Sequence, residues 1–232
     1  MIHEDLPPEA LLDLPIFPLP GTVLLPRTFI SLHIFEPRYR AMMEDCIESY
    51  RVMAVAMVDP DAPPDRWDRP ALHPIAGVGV LRRSARLPDG RYNIVLEGLA
   101  RADIRQEHSP TKLYRRAQAQ ILRDVWPADP ATLNPAVTSL RALCSRALTQ
   151  ISPTDSEILE GLNAIQDPSR LADMVAAAAI AEAIERQRAL AEPKVLARLE
   201  LVSGALGAIL LSHHDQADDG KKLGWGISPG KA

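Results

Sequence analysis

Apolar residues along this chain follow two different periods, and the changeover falls near Pro135. In the first part, residues 14–26 read LPIFPLPGTVLLP, with apolar side chains punctuated by prolines. Proline fixes φ and cannot donate to a central ladder, so this pattern predicts an edge strand entering a sheet. Residues 51–58 (RVMAVAMV) and 75–81 (IAGVGVL) are apolar runs of strand length, and the polar, proline-rich 59–74 between them predicts a surface loop. At 87–104, LPDGRYNIVLEGLARADI places strand-forming residues on both sides of Pro88-Asp89-Gly90, which predicts a hairpin. A last strand is expected near 117–125. One helix interrupts this half: Pro37 follows Glu36 where a first-turn N–H needs no partner, and Tyr39, Met42, Met43, Cys46, Ile47 and Tyr50 follow at helical spacing. His33 is then expected at a strand end and Glu36 as the helix cap.

After Pro135 the period lengthens to about 3.6 residues. Val137, Leu140, Cys144, Ala147, Leu148 and Ile151 line one side of a helix, and Thr154 to Glu157 spell a capping box opening a second. Asp167-Pro168 opens a third in the N-cap, N1 arrangement, and Pro193 marks a break before a fourth over 194–212. The glycine-rich, polar 213–232 predicts a disordered tail. The expected fold class is therefore α+β: an extension over 1–12, a β-rich subdomain with one inserted helix over 13–126, and a four-helix subdomain over 127–212.

Composition adds a core and removes some classes. The 232 residues are 47% hydrophobic and 24% charged, which excludes wholesale disorder, and 26 Lys+Arg against 30 Asp+Glu give a net charge of −4. The first residues are acidic where a secretory leader would be basic. The longest apolar stretch is taken to be 175–184, which Glu182 breaks short of the roughly 18 residues a span needs. A cytoplasmic protein without a membrane partner is expected. Cys46 and Cys144 lie far apart inside helical patterns, so two buried free thiols are expected rather than a disulfide or a zinc site.

Catalytic patterns are sparse. No G-x-x-x-x-G-K-[ST] occurs, which excludes a P-loop. Gly77-Val78-Gly79 lies inside a predicted strand without the third glycine of a dinucleotide turn, and so predicts a close backbone approach. Ser109 and Lys112 match the S-x-x-K spacing of an acyl-transfer site, but no companion motif and no apolar surroundings for an activated lysine are present. His33 and Glu36 lack third and fourth ligands, and His213-His214 has no partner, so neither a metal nor a cofactor is expected. Residues 77–124 carry ten Lys+Arg against five acids. Such a surface suits phosphates, although arginines alternating outward on solvated strand faces explain it better, and no aromatic RNA signature accompanies it.

Four segments, LPIFPLPGTVLLP, LHIFEPRYRAMMED at 32–45, LPDGRYNIVLEGLARADI, and DPSRLADMVAAAAI at 167–180, occur in the order that resembles the amino-terminal, substrate-binding domain family of the Lon ATP-dependent protease, over roughly residues 10–212. The likeness is greatest to stand-alone members. What the resemblance implies is a PUA-like, twisted β-barrel joined to helices, in a module that recognises unfolded or tagged proteins; a related domain occurs in cereblon. The family's ATPase and Ser–Lys peptidase modules have no counterpart in this chain, so proteolysis is not carried over and no catalytic residue is assigned. The expected function is non-catalytic binding of unfolded or extended protein segments, with the proteolysis machinery as a further partner class. Its candidate contacts are Phe29, Phe35, Arg38, Tyr39 and Tyr92, with at most two rings facing a groove between the subdomains. Arg38 is expected to pair with Glu36. The alternative is RNA binding on the basic face of the barrel.

Overall fold

A computed structural model describes residues 6–151 and 156–222. Six strands, β1 (Leu14–Leu19), β2 (Phe29–Ile34), β3 (Val52–Met57), β4 (Ile75–Arg86), β5 (Tyr92–Glu107) and β6 (Arg115–Leu122), form one mixed sheet, with α1 (Pro37–Glu48) inserted after β2. The helical half contains α2 (Asn134–Ile151), α3 (Ser156–Ala164), α4 (Pro168–Ala179), α5 (Ala183–Ala191) and α6 (Val195–Lys222). The α+β class expected from the two periods is therefore observed.

The strand pairings run β1–β3–β4–β5–β6 and back to β1, with β2 attached to β5 as an outlying strand. This makes the sheet barrel-like, but β1 and β6 pair only between Leu14–Ile16 and Arg115–Ala117, so the seam is short. The proline-rich opening strand is thus not the edge that its prolines predicted. It lies between β3, parallel, and β6, antiparallel, and the edge position falls to β2, which contains no proline. The hairpin is where it was expected: Gly90 takes φ +82°, and the Leu87 N–H donates to the Arg91 carbonyl at 2.7 Å.

Between β1 and β2, residues 23–28 cross the sheet as a strap. The Arg27 N–H donates to the Gly98 carbonyl and the Gly98 N–H to the Thr28 carbonyl, each at 2.8 Å. A Cβ on Gly77 would stand 1.9 Å from the Leu24 carbonyl oxygen, and one on Gly98 would stand 2.1 Å from that of Leu25. The close approach read from Gly77-Val78-Gly79 is therefore real, and only glycine has room for it.

Alternate strap residues serve different cores. Leu24 packs with Met42, Met43 and Cys46 of α1, whereas Val23 and Leu25 pack with Leu140, Leu171, Val175, Leu199 and Val202 of the helical half. Buried Cys46 and Cys144 are free thiols, and burial pushes them up to about 12 and about 11. The helix opened by Asp167, whose carboxylate accepts from the Ser169 and Arg170 N–H groups, ends sooner than expected: Ile180 turns to extended backbone, and α5 is a separate helix. The helical half thus holds one more helix than its prolines and caps foretold. The capping box at Thr154 lies outside the described residues, and so does 223–232. The last helix continues past Ser212 to Lys222, and the extension contributes Leu6 and Ala10 to the core.

The greasiest stretch is also not 175–184. Val195–Ser212 of α6 has mean hydropathy 1.7 over 18 residues, long and apolar enough by length and composition to cross a membrane. In the fold its Val195, Leu199, Val202, Leu206 and Leu210 recur at three- and four-residue steps and pack into the shared core.

The two halves are also joined by a buried ion cluster. Arg101 of β5 donates to Asp173 of α4, and Arg198 of α6 donates to Asp124 at 3.0 Å and to the Ser169 hydroxyl at 2.5 Å. The Ser169 hydroxyl in turn donates to the other Asp124 oxygen at 2.5 Å. Arg101, Arg198 and Asp173 are all buried. Burial pushes the Asp173 carboxyl up to about 6, against the pull of the Arg101 and Arg198 guanidiniums.

Three outcomes are expected. Gly77→Ala and Gly98→Ala each destabilise the fold by about 3 kcal/mol or more in urea denaturation, the upper end for overpacking, because the opposing atom is backbone and cannot rotate away. Arg101→Met leaves Asp173 short of a partner and costs about 3–5 kcal/mol in the same measurement. Because folding lifts the Asp173 carboxyl above its unfolded value near 4, its contribution to stability is complete below that pH and is lost as pH rises through about 6; carbon-13 titration of this carboxyl checks the midpoint.

Candidate functional site

A groove of about 450 Å³ opens in the β half, walled by residues 17–20 of β1 and its exit, residues 32–39 at the β2–α1 junction, and residues 110–115 of the β5–β6 loop. It lies where strands run out of partners. The pairing of β1 with β6 stops at Ile16, and β2 has a neighbour on one side only. Pro18 and Pro20 face this gap with no N–H to offer a guest strand.

Local sequence explains why the junction leaves a ring outside. Glu36 is extended before Pro37, as the residue before proline prefers to be, and α1 starts there. Phe35 then occupies the position just before the N-cap, from which a hydrophobic residue usually folds onto the fourth helical residue. That residue is Arg40, so no apolar partner receives Phe35, which stays 60% exposed with its ring stacked beside His33 at 6.3 Å between centroids. Behind it, the Tyr39 ring packs on Phe17 at 4.5 Å and is buried, which raises its hydroxyl pKa against the opposing charge of Arg38. Across the groove, Leu113 is 72% exposed.

The opposite wall is pinned to α1. Lys112 Nζ and the Tyr114 hydroxyl both donate to Asp45 Oδ2 at 2.6 Å. Partial burial raises the Asp45 carboxyl, but these two bonds outweigh it and hold it below the ordinary carboxylate range. Burial and the same Asp45 bond push the Tyr114 hydroxyl well above its usual value. The groove's other cations are taken as well: Arg38 pairs with Glu36 at 2.6 Å, Arg69 with Asp65 and Glu107, and Arg115 with Glu107. What remains open to a ligand is ring, leucine and proline surface.

Of the residues singled out from the sequence, Phe35, Arg38 and Tyr39 line this groove. Phe29 is 62% exposed but stands at the start of β2, outside the lining, and Tyr92 is buried beneath α1. The groove also lies within the β half and not between the two halves. Arg38 pairs with Glu36 as expected, but Glu36 does not cap α1 through its side chain; its backbone carbonyl accepts from the Tyr39 and Arg40 N–H groups while the carboxylate turns to Arg38. His33 is held by Asn93 at 2.7 Å, and no cluster of metal-ligating side chains occurs among the described residues. Lys112 is committed to Asp45, and Ser109 has no bond to it, so the S-x-x-K spacing assembles no nucleophile. Leu113 and Tyr114 went unnoticed, although Leu113 is a large apolar residue directly after the polar run SPTK at 109–112.

The basic stretch is largely neutralised, half of that by acids that lie outside the stretch. Arg86 faces Glu44, Lys112 Asp45, Arg116 Asp13 and Arg101 Asp173, while Arg82, Arg91, Arg105 and Arg115 use acids inside the stretch. Among the described residues, Arg83 and Arg123 alone of that set have no acidic partner.

Residues 13–207 match the model of the ATP-dependent protease La (LON) substrate-binding domain family. Among curated proteins the chain is similar to Lon protease 1 of Herpetosiphon aurantiacus, 29% identical over 192 residues, covering 81% of this chain and 23% of that protein. It is also similar to the Lon protease of Roseiflexus castenholzii, 32% identical over 176 residues, covering 74% of this chain and 21% of that protein. The chain thus spans about a quarter or less of the length of these relatives. In fold it is similar to the N-terminal domain of the Mycobacterium avium complex Lon protease, with TM-score 0.68, 18% identity, and 84% of this chain and 98% of that one covered. The Lon N-terminal domain protein from Xanthomonas campestris aligns with TM-score 0.57 and 18% identity, over 81% and 95% of the two chains.

Two substitutions separate the structural rings from the available ones. Tyr92→Ala empties a buried site and costs about 3–5 kcal/mol, whereas Phe35→Ala, at an exposed site, changes stability by no more than about 0.5 kcal/mol; thermal melts followed by circular dichroism check both.

Proposed function

Because the chain belongs to the family of ATP-dependent protease La (LON) substrate-binding domains, we propose that it is a non-catalytic module that holds extended, apolar segments of other proteins in the groove between β1, the β2–α1 junction and the β5–β6 loop. The observation that carries this reading is the pair Phe35 and Leu113, 60% and 72% exposed in the lining of one groove whose charges are already paired. Large apolar side chains left outside around a concave surface mark a place where another chain takes them out of water. Phe17, Tyr39 and Tyr114 supply a ring-lined floor that accepts side chains of many shapes, which suits unfolded clients better than one defined partner. Phe35, Arg38 and Tyr39 remain in this site; Phe29 and Tyr92 are left out of it.

The partners in this reading are unfolded or extended proteins, and through them the proteolysis machinery, in the cytoplasm. The module holds a segment and leaves its covalent chemistry to other modules, since Ser109 and Lys112 are not brought together. RNA is the weaker reading, because the acids named above already compensate most of the basic stretch.

The test is fluorescence anisotropy with a labelled, permanently unfolded protein. The unaltered chain binds it at micromolar concentration. Phe35→Asp combined with Leu113→Asp weakens binding by about tenfold or more, as expected from losing the burial of a large apolar side chain, and leaves the melting temperature unchanged. No binding by the unaltered chain, or equal binding by the double variant, rejects the proposal.

A further inference from the structure

A second cleft, of about 560 Å³, lies at the junction of the two halves and shares no lining residue with the groove. Four arginines from four separate places in the chain line it: Arg27 on the strap, Arg101 on β5, Arg123 after β6, and Arg170 in the first turn of α4. Three aspartates line it too, but each is already engaged. Asp124 and Asp173 accept from Arg198 and Arg101, and Asp167 caps the N-terminus of α4. The balance left over is positive. Arg27, Arg123 and Arg170 are exposed, and their guanidiniums have no acidic or hydrogen-bonding partner among the described residues. Arg101, only 4% exposed, keeps its Nε without an acceptor.

Three guanidiniums without an acidic or hydrogen-bonding partner thus line one concavity, from three separate segments of the chain. Arginine's fork of donors matches phosphate oxygens two at a time, and a cleft walled by protein strengthens such contacts relative to open water. Trp126, 47% exposed on the same lining, offers a ring face beside them. We propose that this cleft binds a small ligand carrying a chain of phosphate groups, with Arg27, Arg123 and Arg170 as its contacts. Because Arg170 belongs to the helical half and the other two to the β half, the bound anion ties α4 to the sheet above the buried ion cluster.

Isothermal titration with inorganic tripolyphosphate tests the site on the whole chain. Binding is expected at micromolar concentration, weakening several-fold as salt rises past about 0.15 M, where the Debye length is about 8 Å. Arg123→Glu and Arg170→Glu each weaken it by about tenfold or more, in line with the loss of a charged hydrogen-bonding contact, while Arg83→Glu, on β4 outside the cleft, leaves it unchanged. Circular dichroism of each variant verifies the fold. A nucleoside triphosphate that binds more tightly than tripolyphosphate, and loses that margin in Trp126→Ala, supports the site with a nucleotide as occupant; equal affinity supports it with the bare phosphate chain. No binding to either compound, or equal losses in Arg83→Glu and Arg123→Glu, overturns the proposal. These readouts do not involve unfolded protein, so their failure is separate from that of the groove.

Discussion

The fold depends on one backbone crossing another at a distance that no side chain permits. Where residues 23–28 pass over β4 and β5, the sheet presents Gly77 and Gly98, and the strap's own carbonyls occupy the space a Cβ would need. Hydrogen bonds on both sides of Gly98 fix the crossing in place. Side chains on the strap then point alternately to the core beneath α1 and to the helical half, so a single segment sets the spacing of both cores. With the strap placed, β2 can start only where it does, and Phe35 follows at the mouth of the groove.

The ion cluster at the junction answers a different need. Apolar contact between the halves is already extensive through Val23, Leu25, Met57 and the buried face of α6. Hydrophobic contact has no direction, however, and tolerates sliding. Arg101, Asp173, Arg198 and Asp124 favour one alignment of β5, α4 and α6, since the buried guanidiniums of Arg101 and Arg198 must each meet a carboxylate. Burial of three of these charges gains little net energy, and its effect lies in rejecting neighbouring registers, where a charge would be stranded.

Legibility in the sequence followed locality. The hairpin at Pro88-Asp89-Gly90, the start of α1 at Pro37 and that of α4 at Asp167 are decided by neighbours a few residues apart, and all were readable. The glycine pair in β4 was readable as a close approach, but not what approaches it. The role of β1 was misjudged because proline reports that one N–H is missing and not which side of the strand lacks a partner. The division between α4 and α5 was hidden because Ile180 to Glu182 contain neither proline nor glycine, and the break comes from burying Ile180 while Arg186 donates to its carbonyl at 2.6 Å. Phe35, Tyr39 and Tyr92 were singled out as large rings of the β half; the first two line the groove, whereas Tyr92 is buried, because its strand pattern does not reveal that α1 covers it. Half of the neutralising acids, Asp13, Glu44, Asp45 and Asp173, lie far in sequence from the cations they meet, which no local pattern contains.

The groove and the cleft are connected by the same stretch of chain. Residues 17–20 line the first, Pro26 and Arg27 the second, and residues 32–36 the first again. Coupling between two sites needs an element with two arrangements whose balance both ligands shift. The strap joins these walls, and it is clamped to Gly98 at 2.8 Å in both directions, with its carbonyls seated where β4 and β5 leave room for nothing larger than hydrogen. A segment so confined transmits no displacement without unseating itself and breaking both cores together. The physical consequence is that the strap holds the groove and the cleft at a fixed spacing.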